Sequence, residues 1–239
     1  MLNVIKSEFL KGKHTSINKY VWATPLLIVL LSAVLGGGQN GAYNWWYVLF
    51  LPGMLAIISA QAVTREKKIS YKGIFLYPVN KQAIWLGKIL YISILLTISC
   101  TIFMISNYVI GFITSATITL KANITATVIL IMTFLFQIPI NLFMTARFNM
   151  FAAVLFNLIM SIISTVAYGS SSVIQYSPYG IGQYLMVPVL HIFPNGLPVP
   201  QGSYYLNGNM IIAKTLIGFA VFIILSTATM IWFTRKEIN

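Results

Sequence analysis

From residue 89 to residue 120 the chain carries no Asp, Glu, Lys or Arg, and further long apolar runs lie on either side. The runs are continuous rather than alternating every second position, which excludes the dyad pattern of an outer-membrane barrel. A helix needs roughly 20 apolar residues to cross a hydrocarbon core. Six stretches are candidates: 20–35, 45–62, 89–113, 122–146, 150–168 and 211–233. The first is short for a bilayer and calls for tilt or local thinning. Only 8% of residues are charged, against roughly 25% in a soluble domain, so a water-facing globule is excluded. The expected fold is an all-α membrane protein with six transmembrane helices.

The few charges are lopsided. There are 15 Lys and Arg, three glutamates (Glu8, Glu66 and Glu237) and no Asp, for a net charge of +12. With a cytoplasmic N-terminus, the inner side holds Lys6, Lys11, Lys13 and Lys19, then Arg65, Lys67, Lys68, Lys72, Lys81 and Lys88, and finally Arg147, Arg235 and Lys236. Only Lys121 and Lys214 fall outside, each beside a span end where a lysine can snorkel. This bias predicts that both termini are cytoplasmic. The excess base reads as orientation and contact with anionic headgroups, not as a nucleic-acid surface. Tyr20, Trp22, Trp45, Trp46, Trp85 and Trp232 are expected at the membrane interfaces.

No internal repeat or soluble insert breaks the chain, so residues 1–239 read as one transmembrane domain. Within it, 1–19 is expected to form an interfacial helix, with Leu2, Ile5 and Phe9 on one face. That polar leader, with no A-x-A site after the run of glycines at 36–38, argues against a cleavable signal. Residues 63–88 form the main cytoplasmic loop. Residues 169–209 are external, free of charge and rich in proline and glycine. They include 181–193, too short to span and interrupted by Pro188, which predicts short external helices between spans five and six.

Catalytic chemistry lacks its reagents. No carboxylate lies in any span, and His14, His191 and the lone Cys100 cannot assemble a metal site. Gly87–Lys88 is followed by Ile89, and Gly12–Lys13 by His14, so neither is a nucleotide-binding loop. The chain is therefore expected to bind no cofactor and to catalyse nothing. Coupled carriers place ionisable groups near mid-membrane, and none is expected here, so uphill transport would draw its energy from another chain.

Two features carry functional weight. The inner loop opens on Arg65, Glu66 and Lys67, continues through Ile69, Tyr71, Lys72, Gly73 and Phe75, and meets Pro78. A short helix with an apolar face and a charged start suits docking into a partner groove; a solvated, orientation-setting loop is the alternative. Span four carries Gln137, Pro139 and Asn141, and span five carries Asn157. Pro139 should kink its helix. These residues read either as a hinge lining a pathway or as a structural kink with amides bonding helices together. Asn107 is open to the same two readings.

Together these stretches resemble the permease subunits of ABC-2-type exporters. The matching elements are Ser7-Glu8-Phe9-Leu10-Lys11 before span one, Glu66…Gly73…Leu76-Tyr77-Pro78…Gly87-Lys88 in the inner loop, and the long external stretch after span five. Length, leader and modest external loops look most like the lantibiotic-immunity permeases. The resemblance implies a multi-pass protein of the bacterial cytoplasmic membrane. Its partners would be an ABC ATPase in two copies, holding ATP and Mg, and a second related permease or another copy of itself. Its substrate would be a lantibiotic or similar cationic antimicrobial peptide entering from the bilayer. ATPase closure would then pull on residues 65–78, and the acid-free external mouth would favour release. An exporter of another lipophilic substrate, or a non-transporting scaffold that recruits a cytoplasmic partner, are the alternatives.

Overall fold

The computed structural model describes residues 2–13, 15–68, 80–114, 116–168 and 174–235. Helix α1 (Leu2–Lys13) precedes α2 (Ile17–Val34). Gly36, at φ 77°, then turns the chain through a conformation open to glycine. Helix α3 (Gly38–Trp45) passes through a π-helical turn, Trp46–Phe50, into α4 (Leu51–Lys68). There follow α5 (Lys81–Thr114), α6 (Leu120–Phe134), α7 (Gln137–Arg147), α8 (Met150–Val166), α9 (Pro178–Leu190) and α10 (Ile211–Thr234). Among the described residues there is no β-strand, only an isolated bridge between Ile192 and Pro198.

Five stretches are long and apolar enough to cross a membrane: Ile17–Val34, Gly38–Lys67, Lys81–Thr114, Leu120–Arg147 and Ile211–Thr234. These correspond to five of the six expected spans. The remaining one, α8, is apolar but has 17 residues, or about 25 Å at the α-helical rise.

Several expected boundaries move. The loop expected over 63–88 is helical over 63–68 and again from Lys81, because Trp85 and Lys88 turn inward and continue the buried face of α5. The leader helix stops at Lys13, short of the expected residue 19. Trp46 and Trp85 are core residues rather than interface anchors. Trp46 stacks on Phe103 at 4.8 Å, while Trp85 stacks on Phe233 at 4.5 Å and donates its indole N–H to Thr229 Oγ1 at 3.1 Å. Trp22, 57% exposed, keeps the outward position expected of an anchor.

Prolines account for the irregularities inside the helices. A helical proline lacks an N–H and crowds the carbonyl four residues earlier. Pro139 therefore acts at Leu135, and the break between α6 and α7 falls at 135–136. Pro52 acts at Val48, inside the π-helical turn, and the freed Val48 carbonyl accepts from Ser161 Oγ of α8 at 2.7 Å. Pro25 acts at Val21, whose carbonyl accepts from Ser99 Oγ of α5 at 3.0 Å. Hydroxyls on neighbouring helices thus satisfy carbonyls that no water could reach in hydrocarbon.

Helix α4 packs on α7 and α8, α2 on α5, and α9 against α6, α8 and α10. Side-chain contacts define the two ends of the bundle. Trp85 on Phe233 brings the start of α5 beside the end of α10. Lys67 Nζ, 3.1 Å from the Thr145 carbonyl, brings the end of α4 beside the end of α7. At the opposite end Gln39 Nε2 donates to the Asn107 carbonyl at 2.9 Å, and its Oε1 accepts from the Thr117 and Ile118 amides at 2.9 Å. Tyr43 donates to Asn123 there as well.

Candidate functional site

The first end of the bundle holds a four-charge clasp. On α1, Val4, Glu8, Lys11 and Gly12 turn towards the bundle, a helical i, i+4, i+7, i+8 stripe. Small residues allow the close approach to α5. A Cβ on Gly12 would lie 2.0 Å from Tyr91 Oη, and one on Gly87 would lie 2.6 Å from Val4 Cγ1. Phe9 packs its ring edge-on to Tyr91 at 4.8 Å.

Between these contacts lie the charges. Lys88 Nζ is 2.9 Å from Glu8 Oε2, 2.9 Å from Glu66 Oε1 and 3.0 Å from the Ala62 carbonyl. Lys11 Nζ is 2.6 Å from Glu8 Oε1 and 2.8 Å from Glu66 Oε1. Each lysine thus bridges the same two carboxylates, and the Lys88 ammonium donates to Glu8 and to the Ala62 carbonyl while pairing with Glu66. Lys88 is 1% exposed, Glu8 3% and Glu66 7%, so the two acids and two bases neutralise one another where water is scarce. Partial burial works against the charge on Lys11, but Glu66 and Glu8 outweigh it and raise its pKa above the ordinary lysine value. Arg65 adds a hydrogen bond from its guanidinium to the Lys11 carbonyl. A small cleft opens beside the clasp. There Glu66 Oε2 and Tyr91 Oη have no hydrogen-bond partner among the described residues.

Of the residues expected to meet a partner, Glu66 lies in this clasp and Arg65 on its rim. Lys67 donates to the Thr145 and Phe148 carbonyls, placing a cation at the C-terminal end of α7, where the helix dipole favours it. Ile69, Tyr71, Lys72, Gly73, Phe75 and Pro78 lie outside the described residues. Glu8, Lys11 and Lys88 were visible in the sequence only as pieces of two separate motifs. One signal was available: a chain with three acids that buries charge at all must spend its acids on that burial.

Mid-bundle, the structure joins two of the four expected hinge or pathway residues. Asn157 Nδ2 donates to Gln137 Oε1 at 2.9 Å and to the Pro52 carbonyl at 2.8 Å, while Tyr179 Oη donates to Asn157 Oδ1 at 2.7 Å. One amide on α8 therefore ties α4, α7 and α9 together. Pro139 sits beyond the break it causes. Asn141 is fully buried, and neither polar atom of its side chain has a partner among the described residues. The same is true of Asn107.

Long apolar helices, bends bridged by hydroxyls and a clasp of charge at one end define a multi-pass helical membrane protein. The sequence profile of the family described as ABC-2 family transporter protein matches residues 4–164, more than half of the chain and including the whole clasp. The chain belongs to this ABC-2 family. Membership makes it a membrane component of an ABC transporter, a permease subunit of a generally non-catalytic kind, and implies an ABC ATPase as its partner. No curated protein and no solved structure matches the chain.

Proposed function

We propose that this permease serves an ATP-driven exporter of the bacterial cytoplasmic membrane that expels a lantibiotic or similar cationic antimicrobial peptide, protecting the cell that makes it. In this reading α8 completes six spans, both termini face the cytoplasm, and the end carrying the clasp is the inner one. Two ATPase subunits bind ATP and Mg and dock on residues 65–78. A second related permease, or another copy of this chain, completes the pathway. Residues 169–209 then face outward.

The observation that carries the reading is the clasp. It fixes the leader α1, the start of α5 and the end of α4 at one point, with Glu66 and Lys88 flanking residues 69–79 on either side. A force applied to that segment is thereby delivered to three helices rather than to a loose loop. Gln137, Pro139, Asn141 and Asn157 lie where the bundle bends, and they are the proposed hinge.

The test is co-expression with the ATPase and permease from neighbouring reading frames, followed by affinity purification and survival assays against a panel of peptide antibiotics. Expected are a stable complex, ATPase activity that depends on this chain, and selective protection against cationic peptides. Protection against other lipophilic agents alone would reassign the substrate. A chain that recruits no ATPase would leave the scaffold reading.

A further inference from the structure

Lys214, in the first turn of α10, is 4% exposed. It does not snorkel outward as its place beside a span end suggested. Its Nζ donates to Gln175 Oε1 at 2.9 Å and lies 4.0 Å from the Tyr184 ring centroid and 5.0 Å from that of Tyr176. An ammonium has three donors, and among the described residues only Gln175 accepts from it. The amide and the aromatic faces favour a cation, but they bring no negative charge.

Among the described residues no acid pairs with it. The chain's only acidic side chains are Glu8, Glu66 and Glu237. The first two are committed to the clasp at the other end of the bundle. Glu237 lies outside the described residues. Beside Lys214 opens a cavity of about 140 Å³, lined by Tyr184, Tyr204, Asn207 and Asn209, each able to donate a hydrogen bond. Pro188 and Ile211 also line a neighbouring cavity, into which Lys121 and His191 face. The pocket residues, 175–214, lie beyond the family match.

A buried ammonium without counter-charge is costly, and a donor-lined cavity at its side is the shape that an anion resolves. We propose that the Lys214 pocket binds a phosphate group. The cavity has the bulk of roughly four to five waters, enough for a tetrahedral oxyanion. The group is carried either by a lipid headgroup or by free phosphate. The site stands independently of the exporter's substrate and of its ATPase.

The test uses the full chain in neutral detergent and equilibrium binding of three probes: inorganic phosphate, dihexanoyl phosphatidylglycerol and dihexanoylglycerol, which lacks phosphate. Saturable binding of the phospholipid alone identifies a headgroup site, and binding of inorganic phosphate as well identifies a site for the oxyanion itself. Lys214→Met should weaken binding about tenfold or more, the expected effect of losing one charge-assisted hydrogen bond. Lys121→Met, which removes the same charge nearby, should leave affinity within about threefold. Gln175→Glu keeps the lysine and gives it an internal counter-ion, so it should abolish binding even where Lys214→Met fails to fold. The proposal is overturned if neither phosphate-bearing probe binds saturably or if dihexanoylglycerol binds as well as the phospholipid. Equal loss in the two lysine variants, or undiminished binding in Gln175→Glu, also overturns it.

Discussion

Lys88 is the residue on which the clasp depends, because its ammonium meets Glu8, Glu66 and the Ala62 carbonyl at once. Removing one partner from a buried ion pair typically costs about 3–5 kcal/mol, since the partner charge is left unpaired, whereas replacing the whole group by apolar residues can be neutral. Lys88→Met should therefore lower thermal stability in detergent sharply, and the triple change Glu8→Gln, Glu66→Gln, Lys88→Met should recover much of the loss. Lys11 gives the pH dependence. Its pKa is raised in the fold, so its contribution is fully present below the ordinary value of 10.5 and is lost as pH rises through the higher folded value. Its side chain is 39% exposed, so solvent screening keeps this contribution modest. Melting curves between neutral and strongly alkaline pH should fall less steeply at the alkaline limb in Lys11→Met than in the parent. The sequence displayed both glutamates and both lysines, but not their pairing. Glu8 and Lys88 are 80 positions apart, and no periodicity within one helix reports which distant helix it will touch.

At the scale of the element, the helices themselves were legible and their continuity was not. Long apolar runs located five crossing helices because burial in hydrocarbon selects composition directly. Lysines concealed the first two turns of α5, since an amphipathic extension whose charge is neutralised elsewhere reads as a loop. Pro139 announced a bend, and the break at 135–136 follows from the four-residue reach of its ring. The role of Ser161 was hidden, because which carbonyl needs a donor depends on which helices are neighbours. Ser161→Ala should cost about 1–3 kcal/mol by leaving the Val48 carbonyl unpaired, measured as a lowered unfolding midpoint. Pro139→Ala should do the reverse, because it permits the missing hydrogen bond to the Leu135 carbonyl. In the transporter reconstituted with its ATPase, that stabilised variant should nonetheless show poorer coupling of ATP hydrolysis to transport under the proposed hinge role.

For the whole molecule, charge divides the bundle. Lys11, Arg65, Lys67, Lys81, Lys88 and Arg147 gather at one end, while Lys121 and Lys214 lie at the other. The proposed orientation predicts that a membrane-impermeant maleimide applied to intact cells labels Tyr204→Cys and leaves Ser7→Cys unlabelled, with buried Cys100 silent in both. The sequence anticipated this polarity from counting alone, but it treated Lys214 as a surface lysine because it could not show the tyrosines that cover it. The shared lysines of the clasp have a consequence for the leader. Glu8 and Glu66 draw on the same two cations, so peeling α1 away removes Glu8 and Lys11 together and leaves Glu66 facing Lys88 alone. Damage at the extreme N-terminus would thus register at the tail of α4, more than fifty residues along the chain, in the very stretch that introduces residues 69–79.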